Sequence, residues 1–282
     1  LIAKEEQKLL YQSVVGVAGT GGMGGHVAQA LTRVGVGHIK IADTEEFDVS
    51  NLNRQSGANL YTLNKSKALE TGRQCRNITE DFRLGIYASG ITEASAEHFV
   101  QDCDIVCDEV EFWATGSRTF LHQKMRQTDA TSFTCSSIGF GTVLTKFNAG
   151  SMHMEEVLEM DYSEAMSVQK RISTGTSSRE EIERTMTLML RLAAPIIPEY
   201  CDPEQYSTVE EIKRRLREEV RASIIGTNPL FAAGFLANHI VLELLRRKSP
   251  IRRIVPIPPV MPGYVRNDSW LQIYETQVGK WW

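Results

Sequence analysis

The chain has 282 residues, which suits one large α/β domain, or such a domain with an annex of helices and strands. Hydrophobic residues make up 42% of it, enough to bury a substantial core. A formal net charge of -4 argues against a nucleic-acid partner, because proteins that bind nucleic acids usually carry a basic surface.

The five cysteines are scattered along the chain and include no C-x-x-C pair. This spacing favours reduced thiols and a cytoplasmic protein over a disulfide framework, and we expect no zinc site. No secretory signal is visible. The longest apolar stretch, residues 230–245, includes Asn238, His239 and Glu243, so it predicts a buried helix and no membrane partner.

The first predicted elements form one βαβ unit. Residues 13–17 predict a buried strand, apolar residues at helical spacing predict a helix over 23–34, and residues 38–42 predict a second strand that ends at Asp43. A unit of this size implies a parallel sheet with a right-handed crossover.

Helices and strands continue to alternate along the first half of the chain. The predicted helix–strand pairs are 64–75 with 82–88, 92–101 with 104–108, and 117–127 with 131–136. Such alternation is typical of an α/β fold with a doubly wound, Rossmann-like, mostly parallel sheet. Residues 141–147 predict one more strand, and the short glycine turn before it allows that strand to run antiparallel.

The sequence changes character near Gly150, so we divide the chain into residues 1–148 and 149–282. We expect the second part to pack on the same domain as a C-terminal annex. Its predicted parts are a methionine- and acid-rich loop or crossover at 151–176, helices at 178–192 and 228–247, a helix opened by the capping box 207–210, and a strand-like tail through Trp270–Tyr274.

The loop between the first strand and the first helix has the spacing Gly19-x-Gly21-x-x-Gly24. Glycines in such a loop let the backbone turn tightly and approach a phosphate, and the N-terminus of the following helix supplies N–H donors. Asp43 ends the next strand, where a carboxylate can accept hydrogen bonds from ribose hydroxyls. These features predict a nucleotide site but do not separate NAD or FAD from ATP.

The polar segment after Asp43 favours ATP. It contains Asn51, Arg54 and Gln55, and Lys67 follows on the next predicted helix. Two cations near a glycine loop suit a triphosphate, since Arg54 can bind oxygens bidentately and Lys67 acts as a point charge. An ordinary capping loop with surface ion pairs is the alternative interpretation.

Together these motifs resemble the E1-like activating enzyme superfamily of the ThiF, MoeB and HesA type. The resemblance covers residues 5–148 and is carried by Gly-Thr-Gly-Gly-Met-Gly at 19–24, Asp43, Asn-Leu-Asn-Arg-Gln at 51–55, and Lys67. Members use ATP to adenylate a carboxylate, often the C-terminal glycine of a ubiquitin-like protein.

The resemblance makes residues 1–148 an ATP-binding, Rossmann-like adenylation domain and implies a role for each matching residue. Asn51, Arg54 and Lys67 would be the catalytic residues, because displacement at the α-phosphorus needs charge neutralisation more than proton transfer. The residues expected to bind the nucleotide are Gly19, Gly21, Gly22 and Gly24 at the phosphates, Asp43 at the ribose, and Gln55 at the triphosphate.

The magnesium ligand of the family is an aspartate shortly after the strand 104–108, and this chain has Glu111 there. Glutamate oxygens also bind Mg²⁺, so Glu111 is the predicted ligand and Asp108 the alternative. Asp108 could instead be a strand-end carboxylate that accepts backbone N–H bonds.

The zinc-binding cysteine pairs of the family are absent, and no thioester cysteine can be identified. Cys135 and Cys201 are the candidates, and each is better interpreted as a buried or incidental thiol. This pattern fits members that activate a peptide or a small acid without an enzyme thioester. The resemblance implies a ubiquitin-like or sulfur-carrier protein, a peptide or a small carboxylate as substrate, specificity within residues 151–176, and a homodimer.

Two other functions remain open. The change to Glu111 allows a non-catalytic partner subunit of a heterodimeric E1-like enzyme. An NAD- or FAD-dependent oxidoreductase would use the same glycine loop, but Arg54 and Lys67 argue against it, and no Tyr-x-x-x-Lys motif follows the strand near residue 135.

Overall fold

The structure, a computed structural model, describes residues 2–193, 225–250 and 260–282. Its strands are β1 (Val14–Ala18), β2 (His38–Ala42), β3 (Arg83–Tyr87), β4 (Ile105–Asp108), β5 (Thr131–Ile138), β6 (Gly141–Phe147), β7 (Gly263–Asp268) and β8 (Ile273–Val278). Its α-helices are α1 (Lys4–Tyr11), α2 (Gly24–Val34), α3 (Lys67–Ile78), α4 (Ala96–Val100), α5 (Thr115–Met125), α6 (Met154–Leu158), α7 (Tyr162–Ser173), α8 (Arg179–Met189) and α9 (Asn228–Lys248).

All these strands join one sheet in the order β3-β2-β1-β4-β5-β6-β7-β8. Neighbouring strands from β3 to β5 run parallel, and β6, β7 and β8 are added antiparallel. This confirms the predicted fold class. The strand order reverses at β1, which pairs with β2 on one side and β4 on the other. In open α/β sheets, ligands bind at the carboxyl ends of the strands at such a point.

The two faces of the sheet bury different helices. Val15 and Val17 of β1 pack with α2 and α9, whereas Val14 lies in a second cluster with Phe99 of α4 and Leu121 of α5. Alternate residues of a strand point to opposite faces, so β1 is covered on both sides. Its continuous apolar sequence is explained by this double burial.

Residues 151–176 contain two helices, α6 and α7, where the sequence predicted a loop or crossover. Asp161 caps α7 by accepting a 2.8 Å hydrogen bond from the amide of Glu164. Met154 and Met160 are buried in a separate core beneath α6, α7 and α8. The prediction was wrong because these methionines form the apolar side of a helical unit, a use that suits their flexible side chains.

The predicted strand over Trp270–Tyr274 is instead the turn and start of a hairpin. Asp268 Oδ1 accepts hydrogen bonds of 3.0 Å from the amides of both Trp270 and Leu271, and β8 begins at Ile273. Asp side chains commonly stabilise turns in this way. The hairpin pairs β7 with β8 and extends the sheet beyond β6.

Helix α9 was predicted as a buried helix. Among the described residues it is the one helix long and apolar enough to cross a membrane, yet 61% of its most apolar window is buried in the protein. It packs on α2, β5 and β6, as a core helix does. The helix predicted from the capping box at 207–210 and the thiol of Cys201 lie outside the described residues.

Candidate functional site

The glycine loop leaves the carboxyl end of β1 at the point where the strand order reverses. Gly19 has a left-handed φ of +91°, and a Cβ atom there would lie 2.0 Å from the main-chain oxygen of Glu109. A Cβ atom on Gly24 would lie 1.9 Å from the main-chain oxygen of Gly19. Glycine is therefore required at both ends of the loop by its own packing.

The middle of the loop is open. Within the described part of the chain, a Cβ atom on Gly21 would meet only Gln55 Nε2, at 3.7 Å. One on Gly22 would lie 3.5 Å from Pro229 at the start of α9 and 3.8 Å from the Arg54 Cδ atom. Packing alone would therefore admit a side chain at Gly21. Glycine at this position keeps the backbone accessible to a ligand, as in phosphate-binding loops.

Asp43 lies beside this loop, as predicted. Its Oδ2 atom accepts hydrogen bonds from the amide (2.7 Å) and hydroxyl (3.0 Å) of Thr20, and its Oδ1 atom accepts one from the amide of Glu45 (2.8 Å). These bonds join the loop to the segment after β2. Binding of the ribose by Asp43 stays a prediction.

The segment after Asp43 folds back onto the loop through a short 3₁₀-helix, Val49–Asn51. Asn51 is buried, and its Oδ1 atom accepts a 3.1 Å hydrogen bond from the amide of Asp48, so in this structure it stabilises the turn. The ring of His26 on α2 donates to the carbonyl oxygen of Arg54 at 3.2 Å. The turn and α2 together fix the backbone that presents Arg54.

Arg54 donates from Nη1 to the carbonyl of Ser50 at 2.7 Å and to Asn53 Oδ1 at 3.0 Å. Burial lowers the pKa of its guanidinium, while the charges of Asp48 and Glu45 act in the opposite direction. The guanidinium remains a cation, since arginine does not lose its proton in proteins. Its charge is therefore available to an anion at the loop.

Gln55 is 7% exposed, and its buried Oε1 atom has no hydrogen-bond partner among the residues that the structure describes. Its side-chain amide lies against Gly21. Amide groups buried inside proteins are nearly always bonded, so an unpaired one beside an open loop indicates a place for a polar ligand. The donor and acceptor ends of a glutamine amide are assigned from their neighbours, and either end could serve that ligand.

Lys67 is the first residue of α3 and is 4% exposed. Its Nζ atom forms a 2.5 Å salt bridge with Glu45 Oε2. The sequence interpretation missed Glu45, although it stands two residues after Asp43 in an extended segment, where side chains share one side. Arg54 and Gln55 thus lie beside the glycine loop, and Lys67 is linked to it through Glu45, Asp43 and Thr20.

Asp108 is fully buried at the end of β4 and is already paired. It accepts hydrogen bonds from Arg118 Nε (2.9 and 3.1 Å), His122 Nε2 (3.0 Å) and Thr134 Oγ1 (3.2 Å). Burial by itself raises the pKa of Asp108, but the charge of Arg118 and the hydrogen bonds from His122 and Arg118 outweigh it and lower the pKa to about 2. The amide of Val110 also donates to its Oδ1 atom at 3.3 Å, in line with the alternative interpretation of a strand-end carboxylate that accepts backbone N–H bonds. Magnesium binding by Asp108 stays a prediction.

Glu111 reaches solvent, and its Oε2 atom accepts a 2.6 Å hydrogen bond from the amide of Trp113. Desolvation raises the pKa of its carboxyl group, with the nearby charge of Glu45 adding to the effect. Carboxylate oxygens are the donors that Mg²⁺ prefers, so Glu111 fits a magnesium site in its chemistry. Magnesium binding by Glu111 stays a prediction.

Comparison with known proteins decides the family. A profile of the ThiF family matches residues 1–270. The chain belongs to the ThiF family. It is 44% identical over 98 residues to the tRNA threonylcarbamoyladenosine dehydratase of Bacillus subtilis (strain 168), a match that covers 35% of this chain and 39% of that relative.

A second relative is the sulfur carrier protein ThiS adenylyltransferase of Escherichia coli (strain K12), which is 27% identical over 140 residues, or 50% of this chain and 55% of the relative. The chain therefore spans about half or less of the length of these two relatives. The solved structure of E. coli MccB with ATP superposes with a TM-score of 0.62 at 15% identity, covering 97% of this chain and 65% of that one. At that identity the likeness shows the fold alone.

Cys135, the candidate thioester cysteine within the described residues, does not suit nucleophilic chemistry. Cys135 lies buried on β5, with its Sγ atom 3.0 Å from Thr142 Oγ1. Burial raises the pKa of its thiol, and the charge of Glu109 raises it further. A thiol must ionise to attack, so this geometry favours the interpretation of Cys135 as a buried core residue.

Proposed function

We propose that this ThiF-family chain binds ATP on the Gly19–Gly24 loop and transfers AMP to a carboxylate. The observation that carries the proposal is the arrangement around Gly21, where open backbone lies next to Gln55, whose Oε1 atom has no partner among the described residues. The cations of Arg54 and Lys67 come from the segments that border the loop. Relatives that are named adenylyltransferases support the same reaction.

In this reaction a carboxylate oxygen attacks the α-phosphorus, and the bond to the β-phosphate oxygen breaks with its electron pair. The products are an acyl-adenylate and pyrophosphate, and no proton has to move. Arg54 would bind phosphate oxygens through its planar guanidinium, and Lys67 would neutralise charge as a compact cation. Mg²⁺, held by Glu111, would supply further charge neutralisation at the leaving pyrophosphate.

The substrate class follows from the relatives. We infer that it is a carboxylate carried on a larger molecule, with the C-terminus of a sulfur-carrier protein as the first candidate, because one relative is named for ThiS. The relative named for tRNA threonylcarbamoyladenosine makes a carboxylate on tRNA the second candidate, which departs from the expectation of no nucleic-acid partner that the net charge of -4 favours. A homodimer in the cytoplasm is part of the same proposal.

Exchange of radioactive pyrophosphate into ATP, with each candidate carboxylate added in turn, tests this function. We expect Arg54→Ala and Lys67→Met to lower exchange by about 100-fold, the usual loss when a group that stabilises a transition-state charge is removed. Methionine keeps the buried stem of Lys67. Arg73→Ala is the matched control, because Arg73 lies on the exposed side of the same helix and pairs with Glu70.

ATP binding without exchange for any carboxylate would contradict the catalytic proposal and favour the non-catalytic partner subunit. Tight NAD binding without ATP binding would contradict it in favour of the oxidoreductase. Equal exchange by the parent and both variants would show that the reaction takes place at another site.

A further inference from the structure

The main chain of Glu45 is hydrogen-bonded to two residues of the candidate site. Its amide donates to Asp43 Oδ1 at 2.8 Å, and its carbonyl oxygen accepts from the amide of Lys67 at 2.9 Å. Asp43 in turn accepts two hydrogen bonds from Thr20 of the glycine loop. A continuous set of hydrogen bonds therefore links the loop, Asp43, Glu45 and Lys67.

The side chain of Glu45 is largely exposed to solvent, whereas its main chain is held by the hydrogen bonds above. Its relative exposure is 54%, compared with 5% for the side chain of Lys67, to which it is paired at 2.5 Å. A rotation of the Glu45 side chain is enough to release Lys67, and the main chain need not move. The exposed partner of this pair is thus the one that can be displaced.

The charges around Glu45 are those expected around a nucleotide phosphate. It pairs directly with Lys67, and its charge also acts on the guanidinium of Arg54. A buried ammonium without an anion is costly, so Lys67 needs a counter-charge whether or not a nucleotide is bound. Glu45 supplies that counter-charge in the structure.

We propose that the Glu45 carboxylate occupies the place of a phosphate in the nucleotide-free protein, and that the triphosphate displaces it from Lys67. This inference rests on the proposed function, because it needs ATP at the glycine loop. Displacement makes binding selective for polyphosphates, since only a ligand that brings its own negative charge can replace Glu45 at Lys67. A neutral nucleoside has no charge to exchange.

Calorimetry of nucleotide binding to the parent and to Glu45→Gln tests the proposal. The ligands are ATP, AMP and adenosine, and each is measured once with EDTA and once with Mg²⁺. We expect Glu45→Gln to bind ATP about three- to tenfold more tightly in both conditions, since an ion pair that competes with the ligand is lost. We expect adenosine binding to stay unchanged. Glu46→Gln is the matched control, as it removes the same charge from the next, exposed residue.

Thermal unfolding gives an independent readout. Without nucleotide, Glu45→Gln leaves Lys67 buried and unpaired, so its melting temperature should fall below that of the parent. Saturating ATP should then raise the melting temperature of Glu45→Gln by more than it raises that of the parent or of Glu46→Gln.

Several results would overturn the inference, and each names another role for Glu45. Weaker ATP binding in both conditions would mean that Glu45 orients Lys67 for the phosphates, and weaker binding only with Mg²⁺ would make it a metal ligand. Weaker adenosine binding would make it a ribose ligand, and unchanged ATP binding would leave it structural. A parent that binds no ATP overturns both this inference and the proposed function, whereas ATP binding without pyrophosphate exchange overturns the proposed function alone.

Discussion

Gly21 and Gly24 belong to one loop but are glycines for different reasons. At Gly24 the reason is packing, since a Cβ atom would lie 1.9 Å from a main-chain oxygen that cannot move away. At Gly21 the nearest atom of the described residues would lie 3.7 Å from a Cβ, an ordinary contact. The open position is the one where a ligand can approach the backbone.

We therefore expect opposite results from two alanine substitutions. Gly24→Ala should lower the free energy of unfolding by about 2–4 kcal/mol, because the loop must be displaced. Gly21→Ala should change it by less than about 0.5 kcal/mol and weaken ATP binding by about tenfold. Urea unfolding and calorimetry measure the two effects. Strong destabilisation by Gly21→Ala would show that this position, too, is fixed by packing.

Between elements, a buried ion pair joins α9 to the sheet. Lys146 on β6 lies 3.2 Å from Glu243 of α9, and the two side chains are 6% and 0% exposed. Arg246, one turn further along α9, also donates to Glu243 at 2.9 Å. Desolvation lowers the pKa of Lys146 and opposes the ionisation of Glu243, but Arg246 and Lys146 hold the pKa of Glu243 below its usual value.

Replacing one partner of this ion pair should lower the free energy of unfolding more than replacing both partners with apolar residues. We expect Glu243→Gln to lower the free energy of unfolding by about 3 kcal/mol, since it leaves Lys146 buried without its counter-charge. The double variant Lys146→Met with Glu243→Leu should recover most of that loss, because neither buried charge remains. Chemical denaturation of the two single variants and the double variant measures the coupling free energy between Lys146 and Glu243. A double variant as unstable as the sum of the single ones would contradict this account.

Across the whole molecule, α5 joins the sheet to the helical unit of α6–α8. Asp108 of the sheet binds Arg118 of α5, and Glu155 of α6 binds Arg126, the residue that follows the last turn of α5. Burial opposes the charge of Glu155, but hydrogen bonds from Arg126 and Gln123 lower its pKa to about 2. Two carboxylates that must stay ionised thus hold α5 in place.

These carboxylates predict loss of stability in acid. A carboxyl group whose pKa is lower in the folded than in the unfolded protein stabilises the fold above its unfolded pKa, and that contribution disappears as the pH falls towards its folded pKa. For Asp108, with a pKa of about 2 against 3.8, it amounts to about 2 kcal/mol, lost between pH 5 and pH 2 or so.

Urea unfolding at several pH values from about 7 to about 3 measures this dependence. We expect Glu155→Gln to reduce the fall in stability over that range, because one of the carboxyl groups with a lowered pKa is gone. Glu180→Gln, at an exposed residue of α8, should leave the fall unchanged. An unchanged fall in Glu155→Gln would show that Glu155 does not contribute to acid unfolding.

The sequence alone determined the parts of this protein that depend on neighbouring residues. The strand–loop–helix–strand unit, its glycine spacing and the position of Asp43 follow from local periodicity and backbone freedom, and the structure confirms where they lie. The alternation of helices and strands up to β5, which predicts a parallel sheet, can be read from the sequence for the same reason. Arg54 and Lys67 could also be proposed from sequence, since they lie in the polar segment after Asp43 and on the next predicted helix.

Only the tertiary structure decided which groups these residues meet. Asp108 is committed to Arg118 and His122, which approach it from a helix on the face of the sheet. Glu45 meets Lys67 because the segment after β2 folds back on α3. Pairing of charges depends on distance and burial in the folded chain, and neither is encoded in the spacing of residues along the sequence.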